Sequence, residues 1–172
     1  MTIREAVPTD ADAIASIYNV HVDHGGATMD TVHWSSSTVR RWLPPHAPAG
    51  WYVATGTDDQ VMGWGAVRPI SERVGLRYTM ETAIYLDPSS LGTGVADAIQ
   101  NRLLVHCREH DIHHLMARII STNGRSVAFH QRHGFEIVGV QREVGFLNDR
   151  WCDLTVMQRL FTNNDANDSP NR

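Results

Sequence analysis

The passage that most constrains this chain lies near its middle. A segment rich in β-formers, Tyr78-Thr79-Met80-Glu81-Thr82-Ala83-Ile84-Tyr85, stops at Asp87-Pro88. Leu91-Gly92-Thr93-Gly94-Val95-Ala96 then opens a run with Val95, Ile99 and Leu103 at four-residue spacing. Proline ends strand pairing, glycine permits a tight turn, and the spacing gives a helix of about five turns one apolar face. Strand, glycine loop and helix in this order leave the first helical N–H groups unpaired, where the helix dipole favours an anion. The GxxxxGK[ST] phosphate loop is absent, and the GxGxxG dinucleotide pattern would need glycine at Asp97. From the residues alone two readings stand: a pyrophosphate-bearing ligand of another kind, or a ligand-free turn softened by glycine.

The flanking sequence alternates strand and helix patterns. Thr2 to Val7 predicts a strand, broken at Pro8-Thr9-Asp10, where a hydroxyl can cap a helix carrying Ile14, Ile17 and Tyr18 to about Val22, before Gly25 and Gly26. Ser35 to Ser37 can cap a second short helix with Val39, Trp42 and Leu43, which Pro44-Pro45 stops. Trp51 to Thr55 and Val61 to Val67 read as an antiparallel hairpin around Thr57-Asp58-Asp59-Gln60, followed by a polar loop from Arg68 to Gly75. Arg77 to Leu86 predicts a central strand, His113 to Ile120 another, Asn123 to His133 a helix stopped by Gly134, and Phe135 to Val140 and Leu154 to Leu160 the last strands. The pattern is α/β or α+β with a mixed sheet. A length of 172 residues suits one domain over 1–161, and the polar 162–172 reads as a disordered tail.

Fifteen basic against nineteen acidic side chains, a net charge of -4, give no general attraction for nucleic acid or an anionic membrane. No apolar run approaches the roughly 20 residues that cross a bilayer. The start, MTIREAVPTD, has no basic-then-apolar leader pattern, so a cytoplasmic protein is expected. Cys107 and Cys152 have no CxxC partner and read as reduced thiols. His106 and His110 are spaced i, i+4 with His113-His114 beyond, but HExxH is absent, so no metal is expected.

The glycine loop resembles the acetyl-coenzyme A loop of the GNAT superfamily of N-acetyltransferases, (Gln/Arg)-x-x-Gly-x-(Gly/Ala), with Gly94 and Ala96 matching and Leu91 departing at the first position. Four further stretches narrow the likeness. They are Ile17-Tyr18-Asn19, Arg77 to Glu81 leading into Ile84-Tyr85-Leu86-Asp87-Pro88, Phe129-His130-x-x-His133-Gly134-Phe135, and Arg150-Trp151-x-Asp153-Leu154-x-x-Met157-Gln158. Together, from Thr2 to Phe161, they resemble the phosphinothricin and methionine sulfone or sulfoximine N-acetyltransferases.

That resemblance implies a strongly twisted mixed sheet of six to seven strands flanked by helices, acetyl-CoA as cosubstrate, no metal, and a homodimer with Arg150 to Leu160 near a shared site. It implies backbone contacts to pantetheine from Ile84, Tyr85 and Leu86, and a diphosphate held by Gly92, Thr93, Gly94, Val95, Ala96 and Asp97. Asn123 is either a helix cap or a contact to the pantetheine arm.

Transfer to an amine needs a base, because an α-ammonium has a pKa of roughly 8. Glu81 stands in an otherwise uncharged stretch, where burial would raise its pKa; the competing reading is a strand carboxylate that faces solvent or pairs with an arginine. The resemblance makes Glu81 the general base and His130 a candidate to protonate the leaving thiolate, against a surface or packing role for that histidine. Leu76, Arg77 and Tyr78, with Arg73 nearby, occupy the family's substrate segment, although an aromatic is missing at Leu76 and Tyr78 stands where relatives often carry histidine. Other acceptors are peptide N-termini or polyamines; the reading outside catalysis is an acyl-CoA binding module without turnover.

Overall fold

The computed structural model describes residues 1–162, so the expected tail lies, apart from Thr162, outside the described residues. In chain order the elements are β1 (Thr2–Glu5), α1 (Ala11–His24), α2 (Ser36–Arg40), β2 (Gly50–Thr55), β3 (Val61–Pro69), β4 (Thr79–Leu86), α3 (Val95–Glu109), β5 (His114–Ile120), α4 (Gly124–Arg132), β6 (Glu136–Leu147) and β7 (Arg150–Leu160). They form one seven-stranded sheet in the order β1-β2-β3-β4-β5-β7-β6. Every neighbouring pair is antiparallel except β4 with β5, the two strands joined through α3.

Each face of the sheet carries its own core. On one side Val95, Ile99, Leu103 and Cys107 of α3 are buried against Tyr52, Val67, Leu115 and Met157. Gly65 of β3 lets α3 approach the sheet closely, since a Cβ there would collide with Ile99 and Leu103. On the other side Ile14, Ile17 and Tyr18 of α1 and Val39 of α2 cover Trp51, Val53 and Trp64. Trp51 and Trp64 stack with centroids 5.0 Å apart, and Trp34 stacks on Tyr18 at 3.6 Å. Fully burying each large side chain stabilises the fold by about 1.5–3 kcal/mol, so these two clusters hold the layers together.

Several boundaries differ from the sequence expectation, each for a local reason. Thr9 does not cap α1: a short 3-10 turn over Pro8–Asp10 precedes it, and the Asp10 carboxylate accepts from the Val7 N–H (2.8 Å) and from Arg4 (2.7 and 2.8 Å). Burial works against the Asp10 charge, yet these donors outweigh it and bring its pKa below the ordinary carboxylate value. Ser35 does cap α2, accepting from Thr38 N–H. The strand expected from Arg77 begins at Thr79, because Val74–Leu76 forms a 3-10 turn that Arg77 closes by donating its N–H to Val74.

The largest difference is at the end of the chain. β6 and β7 extend far past Val140 and start well before Leu154, meeting at Asn148-Asp149, both with positive φ, as a two-residue hairpin loop requires. β6 is an exposed edge with two register shifts, so its Gln141-Arg142-Glu143 stretch carries no alternating apolar signal.

One buried network gives the fold a pH dependence. His106, in α3, donates from Nε2 to the Pro48 carbonyl (2.9 Å) and accepts at Nδ1 from Tyr52 OH (3.0 Å), which itself accepts from Arg102 (2.8 Å). Burial lowers the pKa of His106, as it does for His130 in α4. The unfolded chain therefore binds protons at these sites at a higher pH than the folded one. Stability is fully present above the ordinary histidine pKa of roughly 6.5 and declines as pH falls through it. Urea midpoints are expected to be level from about pH 7.5 upward and to drop by pH 5.5, with part of the drop removed in His106→Gln.

Candidate active site

The site begins where the parallel pair comes apart. β4 and β5 pair only through Thr79 with His114, Met80 with Leu115 and Glu81 with Met116; beyond these they separate. Asp87 donates its N–H to Met62 on the β3 side (2.9 Å). Strand alternation therefore turns the backbone groups of Leu86 and Ile84 toward the gap. A cavity of about 500 Å³ fills it, bounded by Ile84 and Leu86 on one side and Ala117 and Ile119 on the other. The Thr82 hydroxyl is buried at this gap without a hydrogen-bond partner. One edge group is already engaged: His21 of α1 donates from Nε2 to the Leu86 carbonyl (2.8 Å).

At one end the cavity meets the glycine loop. Gly92 and Gly94 have φ of 78° and 85°, and a Cβ on either would meet nothing within 4 Å, so the loop's outer face is open. Gly94 is the N-cap of α3 and supplies no side-chain bond to it, which leaves the first-turn N–H groups to another acceptor. Among the loop residues, Gly92, Gly94, Ala96 and Asp97 line the cavity. Val95 turns into the core, and the Thr93 hydroxyl donates to the Ser90 carbonyl (2.7 Å). Asp97 is paired with His133 (2.9 Å) and, more distantly, with Arg132 (3.7 Å). Leu91 is half-exposed beside this end, where Arg125 and Arg132 of α4 also face the cavity. Asn123 caps α4, accepting from Ser126 N–H (3.1 Å), and its amide donates to the Gly26 carbonyl (3.3 Å).

At the other end stands Glu81, and its partner was not legible in the sequence. Arg118 of β5 donates from Nε to Glu81 Oε1 (2.7 Å) and from an Nη to Oε2 (2.9 Å), so of the two expected environments the arginine pair is the one formed. The carboxylate in turn raises the Arg118 pKa. Arg68, opposite Glu81 on β3, also lines the cavity. Tyr85 lies one strand step from Ala83 on the Glu81 face, with its ring against Tyr18 and Trp64. Neither Arg118 nor His21 is adjacent in sequence to any motif, and only the packing of β5 and α1 on β4 brings them to the site.

His130 is not a surface residue. It is buried in α4 between Phe129 and Phe135, lines the cavity, and bonds through Nδ1 to the Ser126 carbonyl (2.8 Å). A carbonyl only accepts, so Nδ1 carries the hydrogen and Nε2 carries the lone pair in the neutral ring. Burial lowers its pKa and favours that neutral ring. Leu76, Arg77 and Tyr78 sit before β4, exposed and outside the cavity wall, with the Arg77 guanidinium 4.4 Å from the Tyr78 ring centroid. The His106 and His110 rings lie 4.2 Å apart, but both His106 nitrogens are bonded within the fold. Among the described residues no three His, Cys, Asp or Glu side chains gather as metal ligands would, and no helix is long and apolar enough to cross a membrane.

An open strand edge with an anion cradle at one end and a carboxylate at the other suits an extended ligand that carries phosphate. Residues 3–156 match the acetyltransferase (GNAT) domain family. The chain is 30% identical over 170 residues to the L-methionine sulfoximine/L-methionine sulfone acetyltransferase of Salmonella typhimurium, covering 98% of this chain and 99% of that protein. It is 30% identical to a phosphinothricin N-acetyltransferase of Alcaligenes faecalis over 96% of this chain and 85% of the relative. A GNAT superfamily phosphinothricin acetyltransferase from Sinorhizobium meliloti, solved in complex with acetyl-CoA, superposes with a TM-score of 0.87 at 29% identity, covering 92% of this chain and 87% of that one. Sequence, mixed seven-stranded sheet and parted strand pair agree: this chain is an acetyltransferase of the GNAT family.

Proposed function

We propose that this enzyme moves the acetyl group of acetyl-CoA to the α-amine of a small amino-acid analogue of the phosphinothricin or methionine sulfone and sulfoximine type. The observation that carries the proposal is the parting of β4 and β5 after Glu81, which joins the glycine cradle to that carboxylate along one open strand edge. The relatives named for these acceptors match nearly the full chain.

Bound in this cavity, acetyl-CoA supplies a thioester that an amine can attack. The amides after Gly94 hold the diphosphate, with Arg125 and Arg132 providing positive charge where Leu91 provides none. The free groups of Ile84 and Leu86 pair with the pantetheine amides as an added strand. Glu81, directly or through a water, takes one proton from the acceptor's ammonium. The freed nitrogen bonds to the acetyl carbon as the carbon–sulfur bond breaks, with no covalent enzyme intermediate. The sulfur leaves as thiolate, and the second proton, which the nitrogen sheds on becoming an amide, reaches it through water. His130 is not the donor in this scheme, because its only hydrogen in the neutral ring is committed to Ser126.

Acetylation removes the acceptor's positive charge, which fits a detoxifying role in the cytoplasm. A homodimer is favoured by the apolar surface of the last hairpin, where Val138, Val140, Val144, Phe146 and Trp151 are exposed.

A coenzyme A release assay with phosphinothricin, methionine sulfone and sulfoximine, ordinary amino acids, polyamines and a short peptide tests the acceptor class. Turnover confined to the peptide or the polyamines would contradict it, and tight acetyl-CoA binding without turnover on any amine would point to a binding module. Glu81→Gln is expected to lower kcat by about a hundredfold or more while acetyl-CoA affinity, read by calorimetry, stays level. His130→Phe is expected to cost less than about tenfold in kcat, below the range for losing a general acid. A larger loss would restore His130 as the thiolate's proton donor.

A further inference from the structure

The pair between Glu81 and Arg118 is built differently from a structural ion pair. It is bidentate, yet the Arg118 side chain is 51% exposed while that of Glu81 is 18% exposed, and both face the cavity. Arg118 sits two residues beyond Met116, the last β5 residue paired with β4, on the same face of the sheet as Glu81. It therefore reaches back across the mouth of the gap. Both carboxylate oxygens that would accept a proton are thereby occupied by guanidinium N–H groups.

We propose that Arg118 is the receptor for the acceptor's α-carboxylate, and that the incoming carboxylate displaces Glu81 from the guanidinium and frees it as base; this rests on the transfer proposed above. A planar guanidinium fork accepts one carboxylate as readily as another with the same two-bond geometry. The exchange conserves the pairing at the fork, because one two-bond guanidinium–carboxylate pair replaces another. In an α-amino acid the amine and the carboxylate share one carbon. A carboxylate seated on Arg118 thus presents its own amine to the Glu81 oxygens it has just released. An acid at the far end of a side chain cannot do this, and neither a polyamine nor a carboxamide can make the exchange. Arg68, opposite Glu81 in the strand register, lines the same cavity.

The test compares L-methionine sulfone with its carboxamide, which differ only at the carboxyl group. Acetyl transfer to each is measured by steady-state kinetics, and each is titrated by calorimetry into enzyme saturated with coenzyme A, where no turnover occurs. Wild-type enzyme is expected to favour the acid by about tenfold or more in both kcat/KM and Kd, the range for a charged hydrogen-bonded pair. Arg118→Gln is expected to bring the two compounds within about threefold of each other, chiefly by raising KM for the acid, and Arg118→Lys to retain part of the preference as a point charge. Unchanged acetyl-CoA affinity in both variants reports an intact fold. A preference for the acid that survives in Arg118→Gln, or a wild-type enzyme indifferent to the two compounds, overturns the assignment. If neither compound is acetylated but coenzyme A-loaded enzyme still binds the acid over the carboxamide in an Arg118-dependent way, the transfer proposal fails and the carboxylate receptor stands.

Discussion

The structure turns on a strand pair that is left unfinished. Hydrogen bonding between β4 and β5 stops at Glu81 and Met116, although both strands continue. An unpaired backbone group shut away from water costs about 1–3 kcal/mol, so a gap inside a sheet persists only where the surroundings hold it open. Two well-filled cores do so: α3 packs on one face through Val95, Ile99 and Leu103, and α1 with the tryptophan stack packs on the other. His21 satisfies the Leu86 carbonyl from α1, which ties that helix to the rim. The rest of the edge stays open to a ligand that can complete the ladder.

The same geometry separates charge along the cavity. The glycine cradle, the start of α3 and the arginines of α4 make one end favourable for an anion, while the other end holds the Glu81 carboxylate on Arg118. A ligand anchored by its phosphates and laid along β4, as proposed above, would carry its far end toward Glu81. Positioning of this kind contributes to rate by holding the reacting groups in place before the chemistry starts. His130 also lines the cavity, its ring held by Ser126 and flanked by two phenylalanines.

Local signals in the sequence reached most of the fold. Pro88, Gly94 and the Val95, Ile99, Leu103 spacing located the end of β4 and the start of α3 because proline, glycine and helical periodicity act within a few residues. The hairpin of β2 and β3, the Ser35 cap and the Gly134 stop were legible for the same reason. The long β6–β7 hairpin was not, since bulges and an exposed edge erase the period-two pattern. At the site, Glu81, Gly94 and Asn123 stood out through their motifs. Arg118, Arg125 and His21 did not, because their roles exist only once β5, α4 and α1 are folded against β4. The burial of His130 was equally hidden: it follows from Phe135 folding back onto α4.

In the proposed complex the free edge of β4 binds coenzyme A as an added strand that ends at Glu81. Amide hydrogen exchange of Ile84 and Leu86, with and without coenzyme A, tests it most directly, because these N–H groups would change from open to bonded while those paired to β3 would not. Exchange at both positions is expected to slow by about an order of magnitude or more on saturation, together with the amides that follow Gly94. Saturable coenzyme A binding that leaves Ile84 and Leu86 exchanging as in the free protein would contradict it.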